Sequence, residues 1–169
     1  GNYYNRFYFV HPDGTVQHYD KKHLFTFGGE HKRFTAGTER VVVNFRGVRI
    51  LLEVCYDLRF PVWARNLGDY DMILYVASWP TPRVDAWSAL LRARAIENQC
   101  YVAGVNRMGV DPACEYSGGS AIIDPYGKTI AECPWGRESA VSADIDMEAL
   151  QTFRKKFPVL DDADPFTLI

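Results

Sequence analysis

The 169 residues carry 47% hydrophobic and 24% charged side chains with 13 Gly and 9 Pro, the composition of one soluble globular domain and not of a disordered, collagenous or coiled-coil chain. Nineteen Lys and Arg against 21 Asp and Glu leave a net charge of −2, which supplies no field to collect nucleic acid or anionic lipid, so neither is an expected partner. Apolar runs such as Met72 to Ala77 fall far short of the ~20 residues that span a bilayer, no signal-peptide pattern opens the chain, and four Cys without C-x-x-C spacing point to reduced thiols in a cytoplasmic protein.

Taken in chain order, Asn5 to Val10, a His11-Pro12-Asp13-Gly14 turn and Thr15 to Lys21 predict a hairpin, because Pro and Gly supply the turn dihedrals between two aromatic-rich arms. Leu24 to Gly37 is polar, holds three Gly and has neither period, so it reads as a surface loop. Arg40 to Phe45 and Val48 to Val54 predict a second hairpin around Arg46-Gly47, and its nearly all-apolar second arm suits a strand covered on both faces. A short helix over Pro61 to Leu67, a covered strand over Met72 to Ala77, a helix over Arg83 to Asn98 and a strand over Tyr101 to Val105 complete a β-α-β-α-β run. In the long helix Val84, Trp87, Leu91 and Ala95 recur at three-to-four spacing and present one stripe to a sheet. Ser120 to Asp124 and Lys128 to Glu132 predict a third hairpin, Ala140 to Ile145 a strand, Met147 to Lys155 a helix, and Phe157 to Ile169 an apolar, irregular tail.

Cys55 lies where a covered strand meets a loop. Open α/β sheets bind ligands outside the carboxyl ends of their strands, and a helix N-terminus nearby favours a thiolate. A nucleophile there competes with the plainer reading of a free cysteine packed as a small hydrophobe, which Cys100 and Cys133 keep. All four histidines fall within the first 31 residues, and a Cys/His pair using His23 or His31 stays open on counting alone. No cluster offers the three or four ligands of a metal site.

Tyr19 to Phe25, Gly29-Glu30-His31 with Ala36-Gly37, Cys55 to Trp63 (CYDLRFPVW) and Ala93 to Gln99 (ARAIENQ) together resemble, in order and spacing, the carbon–nitrogen hydrolase (nitrilase) superfamily. Within it, Ser78-Trp79-Pro80 and the segment from Lys156 to Phe166 are most similar to the bacterial omega-amidase subgroup. The resemblance runs along the whole chain and implies an α-β-β-α sandwich, of which residues 1–169 would form the C-terminal two-thirds. It implies hydrolysis of the terminal amide of 2-oxo acid monoamides such as 2-oxoglutaramate, with no metal or organic cofactor, by a homodimer whose tail from Phe157 packs on the partner.

Carried over residue by residue, the resemblance makes Cys55 the nucleophile, Lys21 and not Lys22 the catalytic lysine, and Glu30 the supporting glutamate. The backbone N–H of Tyr56 becomes a second oxyanion donor. A lysine beside sulfur depresses the thiol pKa and holds an oxyanion. Ser78, Trp79 and Phe25 are expected at the substrate, with Arg83 on its carboxylate, and Tyr116 in the lining. Arg59, Arg94 and Glu97 are expected in ion pairs around the nucleophile turn, and Arg154-Lys155-Lys156 as a solvated helix end. The family's general-base Glu belongs to a portion preceding the first hairpin, so the 169 residues by themselves are expected to hydrolyse amides marginally or not at all. Two rival readings follow: a catalytically incomplete fragment that lacks this Glu, and an enzyme acting on another amide or carbamoyl substrate.

Overall fold

The computed structural model describes residues 1–167, so the last two residues of the expected irregular tail lie outside it. Its centre is a six-stranded mixed sheet in the order β10-β9-β6-β5-β4-β3. The strands are β3 (Val42–Phe45), β4 (Val48–Val54), β5 (Met72–Ala77), β6 (Tyr101–Asn106), β9 (Ala121–Ile123) and β10 (Thr129–Glu132). Strands β4, β5 and β6 run parallel, and the hairpin arms β3, β9 and β10 add on antiparallel. Two short ladders stand apart, β1 (Arg6–Val10) with β2 (Val16–Asp20) and β7 (Met108–Val110) with β8 (Glu115–Ser117). The mixed α/β architecture is as expected, with one large sheet among the described residues. No described helix is long and apolar enough to cross a membrane.

The parallel trio is buried on both faces, which is why its strands read as apolar runs. On one face α1 (Val84–Glu97) sets Trp87, Leu91 and Ala95 against Leu51, Ile73, Tyr75 and Val102. Gly104 lets it come this close, since a Cβ there would lie 2.6 Å from Leu91 and 2.7 Å from Trp87. On the other face Leu52, Val54, Met72 and Ala103 pack with Tyr19, Trp63 and Leu150, the last from α2 (Met147–Lys156).

Five expectations change. Pro61 to Leu67 forms successive turns instead of a helix. Asn66 is the reason: its backbone N–H donates to Asn98 Oδ1 at 2.9 Å and its Nδ2 to the Asn98 carbonyl at 2.9 Å, which spends those groups outside a helical ladder. The helical turn near the nucleophile is instead a 3-10 turn over Cys55–Arg59. The loop from Leu24 holds two further 3-10 turns, Thr26–Gly28 and Glu30–Lys32, hinged at Gly29 with φ +74°. Ala140 to Ile145 is no strand, because no neighbouring strand pairs with it among the described residues. The unexpected β7–β8 hairpin turns on Asp111, whose carboxylate accepts from the N–H groups of Ala113 and Cys114 at 2.9 Å each. Arg154 is no solvated end either: it donates to Asp71 Oδ1 at 2.8 Å, to the Tyr70 carbonyl at 2.9 Å and to the Gln99 carbonyl at 2.9 Å.

Candidate active site

The carboxyl ends of β4 and β5 open on a cavity of about 820 Å³, the place where parallel strands offer side chains that no ladder consumes. It gathers Cys55, Lys21, Glu30, Tyr56, Ser78, Trp79, Arg83 and Phe25, together with Tyr116. It also holds Asn5, Arg59 and Cys114, none of which the sequence had placed at the substrate.

Cys55 leaves β4 with φ +47°. A non-glycine residue in the left-handed region costs roughly 1–2 kcal/mol, and such strain marks sharp turns that present a side chain. Its Sγ lies 3.8 Å from the Ser78 carbonyl. Burial pushes the thiol up from its ordinary value, while the Lys21 ammonium pulls it down without compensating. The expected depression of the thiol pKa is therefore corrected: burial outweighs the lysine, and Cys55 is a thiol that must lose its proton during reaction.

Lys21 follows β2 and is 3% exposed. Its Nζ donates to Glu30 Oε2 at 2.7 Å. Glu30 Oε2 also accepts from the Phe25 N–H at 2.6 Å, and Oε1 from Asn5 Nδ2 at 2.8 Å. These donors hold the Glu30 carboxyl below its usual range against the burial that raises it. With every oxygen committed, Glu30 orients the lysine and is a poor proton acceptor.

Asn106, at the end of β6, fixes the far rim: its Oδ1 accepts from the Trp79 N–H at 2.7 Å and its Nδ2 donates to the carbonyls of Trp79 at 2.9 Å and Gly118 at 2.7 Å. Arg94 pairs with Glu97 at 2.8 Å and ties the nucleophile turn by donating to the Leu58 carbonyl at 2.6 Å. Arg59 departs from expectation. Among the described residues it has no carboxylate partner, and its guanidinium sits 5.0 Å over the Trp79 ring, held by the ring quadrupole at the cavity wall. Arg83 likewise lies 5.5 Å over Phe25 without an ion pair among the described residues. His23 faces Asp57 and is not in the lining, so the Cys/His pairing left open by counting is not formed. Among the described residues no three His, Cys, Asp or Glu side chains could hold a metal ion.

The carbon-nitrogen hydrolase profile matches residues 1–155. The chain belongs to this family. It is 55% identical over 165 residues, 97% of its own length and 64% of the relative's, to the omega-amidase YafV of Escherichia coli K12. It is 42% identical over 163 residues to the 2-oxoglutaramate amidase of Bacillus subtilis, covering 94% of this chain and 62% of that one. Among solved structures, XC1258 of Xanthomonas campestris, a CN-hydrolase superfamily protein with an arsenic adduct in its active site, superposes with a TM-score of 0.95 at 48% identity over 98% of this chain and 66% of that one. The chain thus spans less than two thirds of the length of the curated relatives it matches.

Behind the nucleophile, Glu53 is fully buried with neither carboxylate oxygen hydrogen-bonded. Burial first, and Asp57 second, push its pKa well up despite Arg40 and Arg94. A raised folded-state value means the native state binds the extra proton, so stability falls as pH rises above the ordinary carboxylate range, by up to about 1.4 kcal/mol per pH unit. Glu53→Gln should therefore gain on the wild type as pH rises from 4.5 into the neutral range in urea unfolding. A constant gap across that range would contradict this reading.

Proposed function

We propose that the protein hydrolyses the terminal amide of a 2-oxo acid monoamide, such as 2-oxoglutaramate, through a thioester on Cys55. The observation that carries the reading is a buried lysine, fixed by Glu30, in one cavity with a strained, strand-end cysteine. Similarity to an omega-amidase and a 2-oxoglutaramate amidase supports the reaction class.

Cys55 Sγ attacks the amide carbon as its proton leaves to a base. The oxyanion is held by Lys21 Nζ and the Tyr56 N–H, two donors preorganised where charge develops. The amide nitrogen takes a proton and departs as ammonia, and water cleaves the thioester to the carboxylate. Glu30 does not fill the role of base, since its oxygens are spent on Lys21, Phe25 and Asn5. The family resemblance assigns that role to a glutamate ahead of the β1–β2 hairpin.

Arg59 and Arg83 give the cavity two guanidinium groups stacked on aromatic faces and free of carboxylate partners among the described residues. Such a wall fits a substrate with an anionic far end better than a neutral carbamoyl compound. In the protein as encoded, Arg83→Leu and Arg59→Leu should each raise KM for 2-oxoglutaramate about 10-fold or more, a charged hydrogen bond being worth roughly 1.5–3 kcal/mol. They should leave turnover of a short neutral amide within about twofold. Equal losses on both substrates would remove the argument for an acidic substrate.

A further inference from the structure

The Lys21 segment and the Cys55 turn meet at one buried carboxyl. Asp57 is fully buried and accepts from four donors. Its Oδ2 takes the Tyr19 hydroxyl at 2.9 Å and the Val54 N–H at 3.1 Å. Its Oδ1 takes the His23 N–H at 2.9 Å and His23 Nδ1 at 2.8 Å. Three of these four donors belong to Tyr19 and His23, two residues either side of Lys21, and Asp57 itself lies two residues past Cys55. The His23 ring is further held flat on Phe60, with centroids 3.8 Å apart and planes 8° off parallel. The Tyr19 hydroxyl in turn accepts from the Lys22 N–H and from Trp63 Nε1, each at 3.1 Å. The segments that carry Lys21 and Cys55 are therefore tied to one shared anchor.

We infer that His23 is a positioning residue, which sets Lys21 relative to Cys55 by donating a proton from Nδ1 to Asp57. It touches neither the cavity nor a reacting atom. The inference rests on the reading of Lys21 and Cys55 as a functional pair, but its consequence does not require amidase turnover. Lys21 lowers the Cys55 thiol only while its ammonium is held close, so loosening the anchor slows thiolate chemistry at Cys55.

The test exploits side-chain geometry. Asn places Nδ2 near the position of His Nδ1, Gln places its amide farther out, and Phe keeps the stacked ring without a donor. Iodoacetamide alkylation at pH 7.5 is followed peptide by peptide, so that Cys55 is read separately and Cys114, in the same cavity, reports probe access. His23→Phe should slow Cys55 labelling about 10-fold, as should Lys21→Met, with Cys114 unchanged. The His23→Phe/Lys21→Met double variant should be no slower than either single change, the signature of two residues acting through one contact. His23→Asn should restore the rate to within about threefold of wild type, and His23→Gln should not. Should His23→Phe fold poorly by circular dichroism, the Asn and Gln variants carry the comparison alone. Additive losses in the double variant, or equal rates for Asn and Gln, would overturn the assignment. A wild type that, in the protein as encoded and with the family's general base present, labels as expected yet releases no ammonia from 2-oxoglutaramate would instead count against the proposed reaction and leave the His23 inference standing.

Discussion

In the protein as encoded, with the family's general base present, Cys55→Ala should lower kcat by about 10⁴-fold or more, because a nucleophile that forms the covalent intermediate cannot be replaced by binding alone. The fold should survive, since the site is a turn exit whose backbone is held by Asp57 and Arg94 and not by the thiol. Alanine inherits the positive φ of 47° without a change in strain. The decisive measurement is a rapid acid quench of wild type with substrate, followed by peptide mass analysis for a hydroxylamine-labile acyl group. It should sit on Cys55. Order of alkylation is a weaker criterion, because burial raises the Cys55 thiol while Cys114 shares the cavity. An acyl group recovered on Cys114 would refute the assignment of the nucleophile.

Lys21→Ala should be nearly as damaging as Cys55→Ala, whereas Lys22→Ala should change kcat by less than about twofold. Two causes act together at Lys21. Losing one oxyanion donor costs roughly 10²–10³ in kcat, and the cation that restrains the Cys55 thiol disappears with it. Lys22, one residue on, extends its ammonium over the Trp63 ring at 5.1 Å and is absent from the cavity lining. Steady-state ammonia release by both variants, at matched folded concentration, checks the contrast. Comparable losses at the two lysines would mean that the register of the strand end has been misassigned.

What the sequence reveals here follows interaction range. The three hairpins and the α1 stripe are legible because turn dihedrals and periodicity are local properties. Lys21, Glu30 and Cys55 are picked out because each belongs to a contiguous motif that carries the family resemblance, and one cavity gathers all three. Asp57 and His23 are 34 positions apart, and Asn106 and Trp79 are 27 apart, so the contacts that brace the cavity exist only once the sheet has assembled. The helix expected at Pro61 to Leu67 and not formed has the same origin, since the Asn66 backbone N–H is spent on Asn98, 32 positions away. Arg59 shows a different limit. A guanidinium on an indole face and one in an ion pair have the same sequence signature, and only the surroundings decide between them. The Cys55 thiol adds a third: the sign of its shift depends on burial against one cation, two opposing effects that a string of residues does not weigh.

The Arg154 contacts divide the molecule into two ends. Asp71 precedes β5 and Gln99 precedes β6, so α2 is bolted to the amino ends of the strands whose carboxyl ends frame the cavity. A six-residue strand separates the two by about 20 Å. Mechanical load placed on α2 or the tail is thus taken up by a guanidinium bracket at one pole, with the rigid β5–β6 pair between it and the reacting atoms.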